Sequence, residues 1–407
     1  MKVAVFHPGT QHSRQTALAL QQLELLAFLA TSLFDHPGRK RWPGPLGRAM
    51  DTALAGHRFP ALDPALVRTH GAEEWVERIA AKLGARRLAR RIDRLGNRRF
   101  GGWLAGEAAR ETPLALWGFN GASARAFADP RLRDCPKILD RTVADWRFWN
   151  AELEVIRASH PGWLAEGPWP AEAAQIARDD LEYAHADRIV CGSPFVAQSI
   201  RDHSAAAGLD AKLTVLPYPF DTALFGGAPE PVPPPSGEPV RFLFAGQVSP
   251  RKGIQHVLEA VQRLPRRDAR LSVMGPRMVP DRMLAPYAER IDWLSEQPRS
   301  AVPAIMRQHE ALVFPSHYEG SAIILLEAMA SGLAIIQSRQ AGLGASANSG
   351  IVLDAPSADG VEQAMAAMAA DRDVLLGMRR AAWRESQAFS FDAYRGNIAA
   401  LLADMGI

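Results

Sequence analysis

Eleven residues near the middle of the chain, 229–239 (PEPVPPPSGEP), hold six prolines, and no other stretch limits the fold as much. Proline lacks the backbone N–H that a helix interior or a central strand needs, so neither can run through this segment. It reads as an exposed connection between two separately packed bodies. A chain of 407 residues is also too long for one ordinary core, so two domains are the expectation on length alone.

On both sides of the break, strand-like and helical patterns alternate. Residues 2–7 (KVAVFH) form an apolar run closed by Pro8-Gly9, and a helical pattern begins near Arg14. Strand-like runs follow at 114–119, 137–139, 188–190 and 213–216, with helical patterns at 173–186 and 195–206. After the prolines come strands at 240–244, 270–274, 311–314, 333–337 and 351–353, and helices at 254–264, 321–331, 359–371 and 391–405. This alternation predicts α/β architecture, with parallel sheets covered on both faces and ligands at the carboxyl ends of the strands, in the cleft between the bodies.

Composition bounds the function classes. Hydrophobic residues at 47% and charged residues at 22% fit a globular enzyme and exclude a disordered or fibrous chain. A formal charge of +3 gives no general attraction to nucleic acid, and no nucleic-acid partner is expected. Cys135 and Cys191 have no metal-ligand spacing and read as small buried apolar residues in a reducing, cytoplasmic setting. The first eight residues look like a strand rather than a secretion signal, and the apolar run 23–33 is broken by Glu24 and Thr31 and too short to span a bilayer.

The chemistry concentrates in 315–332 (PSHYEGSAIILLEAMASG). A strand ends at Phe314, a loop carries Glu319, Ser321 is placed to start a helix, and Gly332 to end it. Glu327 falls within an otherwise apolar helix, where a carboxylate requires a polar partner. Helical side chains lean toward the N-terminus, so Glu327 points back toward the Glu319 loop, roughly 10–12 Å away at ~1.5 Å rise per residue. That gap suits a sugar at one end and a ribose at the other, with a pyrophosphate at the helix N-terminus, whose unpaired N–H groups and dipole favour an anion. The plain structural alternative pairs Glu327 with a core arginine and leaves Glu319 a solvated loop residue. One unit earlier, residues 242–253 (FLFAGQVSPRKG) set Arg251 and Lys252 at the mouth of a strand–turn–helix, a pair suited to a diphosphate.

These two blocks resemble the donor-binding motifs of the GT4 family of retaining glycosyltransferases, F-x-G-x(5–6)-K-G and P-S-x-x-E-G-x(6)-E-A-M-A-x-G. The resemblance is close over 240–337 and weaker over 182–200, 216–225 and 389–402. It implies a GT-B fold, two Rossmann-like domains facing across a cleft: an acceptor-side domain 1–225, the linker 226–239, a nucleotide-sugar domain 240–385, and a helix 386–407 packing back on the first domain. It implies that Arg251 and Lys252 neutralise the donor pyrophosphate, with Glu319 on the sugar hydroxyls and Glu327 on the ribose. The amides of Ser321 and Ala322 would meet phosphate or sugar, Gly246 and Gln247 would line the donor site, and Gly9-Thr10 would approach it from the other domain. Gln247 stands where many members carry arginine, and Ser321-Ala322 replaces an aromatic–glycine pair. The implied activity is metal-independent transfer of a hexosyl unit from a UDP- or GDP-sugar to a sugar or lipid-linked sugar hydroxyl, in bacterial polysaccharide or glycoconjugate synthesis, without a cofactor. An epimerase or hydrolase on the same scaffold, or a non-catalytic nucleotide-sugar-binding protein, are the alternatives.

The run 342–347 satisfies G-x-G-x-x-A, but a strand at 351 leaves no room for the helix a dinucleotide site needs. The segment 78–99 carries nine basic residues and one acid, with an apolar stripe at helical spacing. It is equally a helix packed on the core with solvated arginines or one lying on an anionic membrane surface, which would place the protein peripherally on the inner face of the cell membrane. His7, His12, Asp140 and His160 are polar candidates for acceptor-side work, and the tryptophans of the first half for stacking on sugar.

Overall fold

The computed structural model describes residues 1–9, 12–36, 44, 48, 51, 54, 57–70, 86–164, 169–233 and 237–407, with backbone alone for 86–95, 97 and 98. Two wholly parallel sheets stand on either side of the proline-rich connection. The first contains β1 (Lys2–Phe6), β2 (Leu26–Thr31), β3 (Val67–Thr69), β4 (Leu114–Phe119), β5 (Lys137–Arg141), β6 (Arg188–Cys191) and β7 (Leu213–Val215), in the order β3-β2-β1-β4-β5-β6-β7. The second contains β8 (Val240–Ala245), β9 (Ala269–Met274), β10 (Ile291–Leu294), β11 (Ala311–Phe314), β12 (Ala334–Ser338) and β13 (Gly350–Leu353), in the order β10-β9-β8-β11-β12-β13.

The central strands are apolar along their whole length because helices cover both faces. All six residues of β4 and all four of β11 are buried. In each sheet the strand order reverses direction once, between β1 and β4 and between β8 and β11. At such a point the loops leaving the two strands diverge and open a crevice at their carboxyl ends.

The sequence pattern finds most of these strands within a residue or two, and it misses three. β2 lies inside the apolar run 23–33, which has no alternation to mark it, while β3 and β10 are three and four residues long on the sheet edges. The helix Arg372–Glu385 is a further element that the pattern did not separate.

The connection is not free-standing. Trp383 Nε1 donates to Ala228 O at 3.0 Å, Arg379 to Val232 O at 3.1 Å and Arg380 to Pro231 O at 3.2 Å, so residues 228–232 lie along the helix Arg372–Glu385. The helix Phe391–Asp404 then returns to the first sheet. Its Tyr394, Ile398, Leu401 and Leu402 share a core with Val3, Val5 and Trp117, and the Tyr394 hydroxyl lies 2.9 Å from that of Thr16.

The basic segment 78–99 falls largely outside the described residues. The backbone of a helix Arg86–Ala109 is described, but the arginine face of that segment is not. Among the described residues no helix is long and apolar enough to cross a membrane. Cys135 and Cys191 are both buried and unbonded to each other.

Candidate active site

The two loops that leave the second sheet at its reversal point carry most of the residues singled out from the sequence. β8 ends at Ala245, and the chain turns through Gly246, at a φ of +135°, into the short turn Pro250–Lys252 and the helix Ile254–Arg263. Gly253 joins the turn to that helix with φ +75°, and a Cβ there would strike the carbonyl of Pro315. Both requirements exclude any other residue, because the loop leaving β11 is bound directly against this turn. His317 N donates to Arg251 O at 2.8 Å, and the Ser316 hydroxyl lies 3.0 Å from the same oxygen.

That contact brings Arg251 and Lys252 onto Glu319. Lys252 Nζ donates to Glu319 Oε1, Arg251 reaches the same oxygen at 3.2 Å, and Ser316 Oγ lies 2.8 Å from it. Arg251 also donates to Tyr318 O at 2.9 Å, and Lys252 Nζ sits 5.0 Å from the centre of the Phe314 ring. Burial alone would push the Glu319 carboxyl up, but Lys252 and Arg251 outweigh it and hold the group below the usual carboxylate range. Burial likewise lowers Lys252, with Glu319 opposing it and Arg251 adding to it. In this state, then, Glu319 offsets one of the two positive charges and the cluster keeps a net positive charge.

The cluster forms one wall of a cavity of about 300 Å³. Gly246, Gln247, Arg251, Lys252, Glu319, Ser321 and Ala322 all line it, so seven of the ten residues named from the sequence meet at one place. The remaining lining is Ala245, Phe314, Ile323 and Ile324, apolar residues that no motif in the sequence singles out.

The helix expected to start at Ser321 starts two residues later. It runs Ile323–Ala330, its N-cap is Ala322, and no side chain caps it. Ser321 is held elsewhere: its Cβ lies against Gly192 of the first domain, and its hydroxyl has no hydrogen-bond partner in the structure. The first-turn amides beside the cavity therefore remain unclaimed by a side chain, which leaves them and the helix dipole available to an anion. The C-terminus follows the sequence expectation. Gly332, at φ +81°, donates to Met329 O at 2.9 Å and Leu333 to Ala328 O at 3.0 Å, the paired bonds of a Schellman cap.

Glu327 is not among the cavity-lining residues. Both its oxygens accept from Arg299, with Nη1 to Oε2 at 2.9 Å and Nη2 to Oε1. The polar partner required by its burial is thus an arginine 28 residues earlier, in the turn Arg299–Ala301, which no pattern in the sequence marks. Burial pushes the Glu327 carboxyl up, and Arg299 offsets part of the shift.

The first domain closes on this loop from the other side. A Cβ on Gly320 would collide with Thr142 O, and Ser193 Oγ donates to Gly320 O at 2.7 Å. The Tyr318 hydroxyl donates to Ala144 O at 2.7 Å while its ring packs among Trp146, Phe148 and Trp149. His317 Nδ1 lies 3.0 Å from Glu152, and its Nε2 lies 3.0 Å from that of His256. Gly9 does not line the cavity; its N–H donates to His7 Nδ1 at 3.0 Å, and Thr10 lies outside the described residues. Burial takes His7 down to about 4. Asp140 is fully buried, accepting from Tyr218 and, at 3.1 Å, from Trp117 Nε1, and burial pushes it up to about 7 despite both bonds. His12 stacks flat on Tyr218, with ring centres 3.7 Å apart. His160 lies at the domain junction, 3.4 Å from Glu259. Among the described residues no group of three or more His, Cys, Asp or Glu is arranged to hold a metal ion.

Comparison with known proteins bears on the family and the fold. Residues 239–371 match the family described as Glycosyl transferases group 1. The D-inositol 3-phosphate glycosyltransferase of Corynebacterium glutamicum is 29% identical over 177 residues, 40% of this chain and 42% of that protein. The chain spans about half the length of the curated relatives it matches. Two solved structures are similar over nearly the whole chain. The Anabaena HepE protein in complex with UDP has a TM-score of 0.63 at 12% identity, covering 99% of this chain and 100% of that one. The sucrose-phosphate synthase of Thermosynechococcus elongatus has a TM-score of 0.64 at 15% identity, covering 100% and 99%. The fold is GT-B, two Rossmann-like halves, with the cavity at the strand ends of the second.

Proposed function

We propose that this chain is a retaining glycosyltransferase that moves a hexosyl unit from a UDP- or GDP-sugar to the hydroxyl of a sugar or lipid-linked sugar, in polysaccharide or glycoconjugate synthesis. The observation that carries the reading is the convergence of Arg251, Lys252 and an uncapped helix N-terminus on one cavity at the β8/β11 reversal point. That set of positive groups suits a diphosphate, and it stabilises the charge that develops as the nucleoside diphosphate leaves.

Glu319 has a double part in this scheme. Without donor it is the counterion of both cations; with donor, the diphosphate takes over that role and frees carboxylate lone pairs for the sugar hydroxyls. No metal is needed to balance the phosphate charge when two fixed cations and a helix dipole stand beside it. A lipid-linked acceptor would be met at an anionic membrane face, with the basic segment 78–99 as the contact. The first domain supplies the acceptor side, and the cleft surface near His12, Tyr218 and Ser321 is where an acceptor hydroxyl would approach.

The test is a thermal-shift panel of UDP-, GDP- and ADP-sugars, followed by transfer assays with the stabilising donor. Lys252→Ala and Glu319→Ala each lower turnover at least about tenfold while the fold survives, as for loss of a transition-state contact. Near-normal turnover in both variants would sink the mechanism, and conversion of donor without any acceptor would favour an epimerase or hydrolase.

A further inference from the structure

We infer that His317 is a positioning residue for transfer: bonded to Glu152 of the first domain, it carries closure of the cleft to the turn Pro250–Lys252 and to Glu319. The inference rests on the nucleotide-sugar reading above.

His317 belongs to the loop leaving β11, two residues before Glu319, and its backbone N–H holds the Arg251 carbonyl at 2.8 Å. Its side chain turns toward the first domain, where Nδ1 lies 3.0 Å from Glu152 Oε2. Glu152 is carried by the helix Trp146–Ser159, which follows β5 of the first sheet. Neither His317 nor Glu152 is among the cavity-lining residues. One residue outside the cavity thus makes a backbone bond to the cationic turn and a side-chain bond across the domain junction.

Imidazole chemistry gives the side-chain bond a direction. An ionised carboxylate only accepts, so Nδ1 carries a proton and donates it to Glu152. On the other edge of the ring, Nε2 lies 3.0 Å from Nε2 of His256, which leaves room for a single proton between the two rings. Burial and the imidazoles of His317 and His160 take His256 down to about 3, so that ring stays neutral. Gln255 Nε2 lies 3.4 Å from His317 Nε2 and donates to Pro250 O at 3.3 Å. The His317 ring is held at both edges, by the first domain through Nδ1 and by the helix Ile254–Arg263 through Nε2. The side chains of His317 and Glu152 are 5% and 19% exposed, so their bond is shielded from water while the domains touch.

The far end of the same helix is seated on the second domain. His160 Nε2 lies 3.4 Å from Glu259, its ring meets His256 edge-on with centres 5.0 Å apart, and Trp163 is buried in the core of the second sheet. Glu152 therefore keeps its place relative to His317 for as long as the cleft is closed. When a diphosphate replaces Glu319 beside Arg251 and Lys252, the ion pairs that fix the Glu319 loop from inside the cavity are broken. The grip on His317 from outside then holds that loop against the sugar.

The experiment sets kcat for transfer beside Kd for whichever of UDP, GDP and ADP binds the wild type best, measured by calorimetry. The backbone bond to Arg251 survives the loss of either side chain. In His317→Ala and Glu152→Ala, Kd therefore stays within about threefold of the wild type, while kcat and kcat/KM fall together by about tenfold or more. The double variant falls no further than either single one, as for two residues acting through one bond. His317→Asn sets an amide N–H where Nδ1 stood and keeps kcat within about threefold of the wild type. His317→Gln sets its amide on the Nε2 side, leaves Glu152 unpaired and loses about tenfold. Normal kcat in Glu152→Ala, additive losses in the double variant, or equal kcat in the Asn and Gln variants overturns the proposal. So does a loss of affinity as large as the loss of kcat, because the side chain would then only support the binding turn. A folded wild type that binds none of the diphosphates overturns the donor reading and this inference with it. A wild type that transfers sugar beside equally active variants overturns the inference alone. Should His317→Ala not fold, the comparison of His317→Asn with His317→Gln decides in the same way.

Discussion

At the scale of single residues, one set of charged groups is paired in the cavity wall and another is sealed in the first domain. Asp140 belongs to the second kind, and its sign in the pH dependence is fixed. Its folded pKa of about 7 stands above the ordinary carboxylate value, so between about pH 4 and pH 7 the folded chain keeps a proton that the unfolded chain has lost. The stability this contributes is fully present below about pH 4 and is lost as pH rises toward 7, up to about 4 kcal/mol in total. Asp140→Asn can still accept from Trp117 and donate to Tyr218, but it does not titrate. Urea unfolding of this variant should lose about 2 kcal/mol of the wild-type difference between pH 5 and pH 7. An unchanged difference would mean that Asp140 is ionised throughout. Glu182 also rises to about 7 and is untouched by the substitution, so the comparison isolates one group.

At the scale of elements, what the sequence makes legible is what is local. The helix Ile323–Ala330 has its apolar residues and its closing Gly332 within one window, and its end is capped as those residues require. Its start was misplaced because Ser321, a good cap by residue type, is drawn against Gly192 in the other domain. The clamp of Arg251 and Lys252 on Glu319 was legible as a shared location but not as an ion pair, since nothing in the spacing tells whether charges 67 and 68 residues apart bond to each other. Arg299 was not legible at all: burial demands a partner for Glu327, and the chain offers forty-seven lysines and arginines to choose from. Two glycines test the elements directly. Gly332→Ala puts a Cβ on a left-handed residue and against Pro231, and should cost about 1–2 kcal/mol in denaturant unfolding. Gly320→Ala instead collides with Thr142 across the cleft, and should reduce transfer at least about tenfold with a smaller effect on the unfolding of the second domain. Equal activity of the two variants would show that the loop does not need its contact with the first domain.

At the scale of the whole molecule, the two domains are joined at more than the site. Tyr318 lies in a core cluster with Ala144, Trp149, Leu153 and Ile156, and Trp163 lies in the core of the second sheet, so each half contributes side chains to the other. The helix Phe391–Asp404 completes the core beneath β1 and β4. Ile398 is fully buried there, and Ile398→Ala should cost about 2–5 kcal/mol. Hydrogen exchange should locate the loss in β1, β4 and the helix Ser13–Gln22 and leave β8 and β11 protected. A loss spread evenly over both sheets would show that the domains unfold as one unit.

That returning helix also bears on the order in which the protein is made. The first sheet leaves the ribosome early but lacks Tyr394, Ile398, Leu401 and Leu402, which are translated after the entire second sheet. Synthesis at roughly 5–20 residues per second separates β4 from its covering helix by about 15–60 seconds. Throughout that interval the core beneath β1 and β4 has the helix Ser13–Gln22 on it but lacks the side chains of the returning helix. The half synthesised second is therefore the one able to finish folding first, and the nascent first half is the part of this protein with most need of a chaperone.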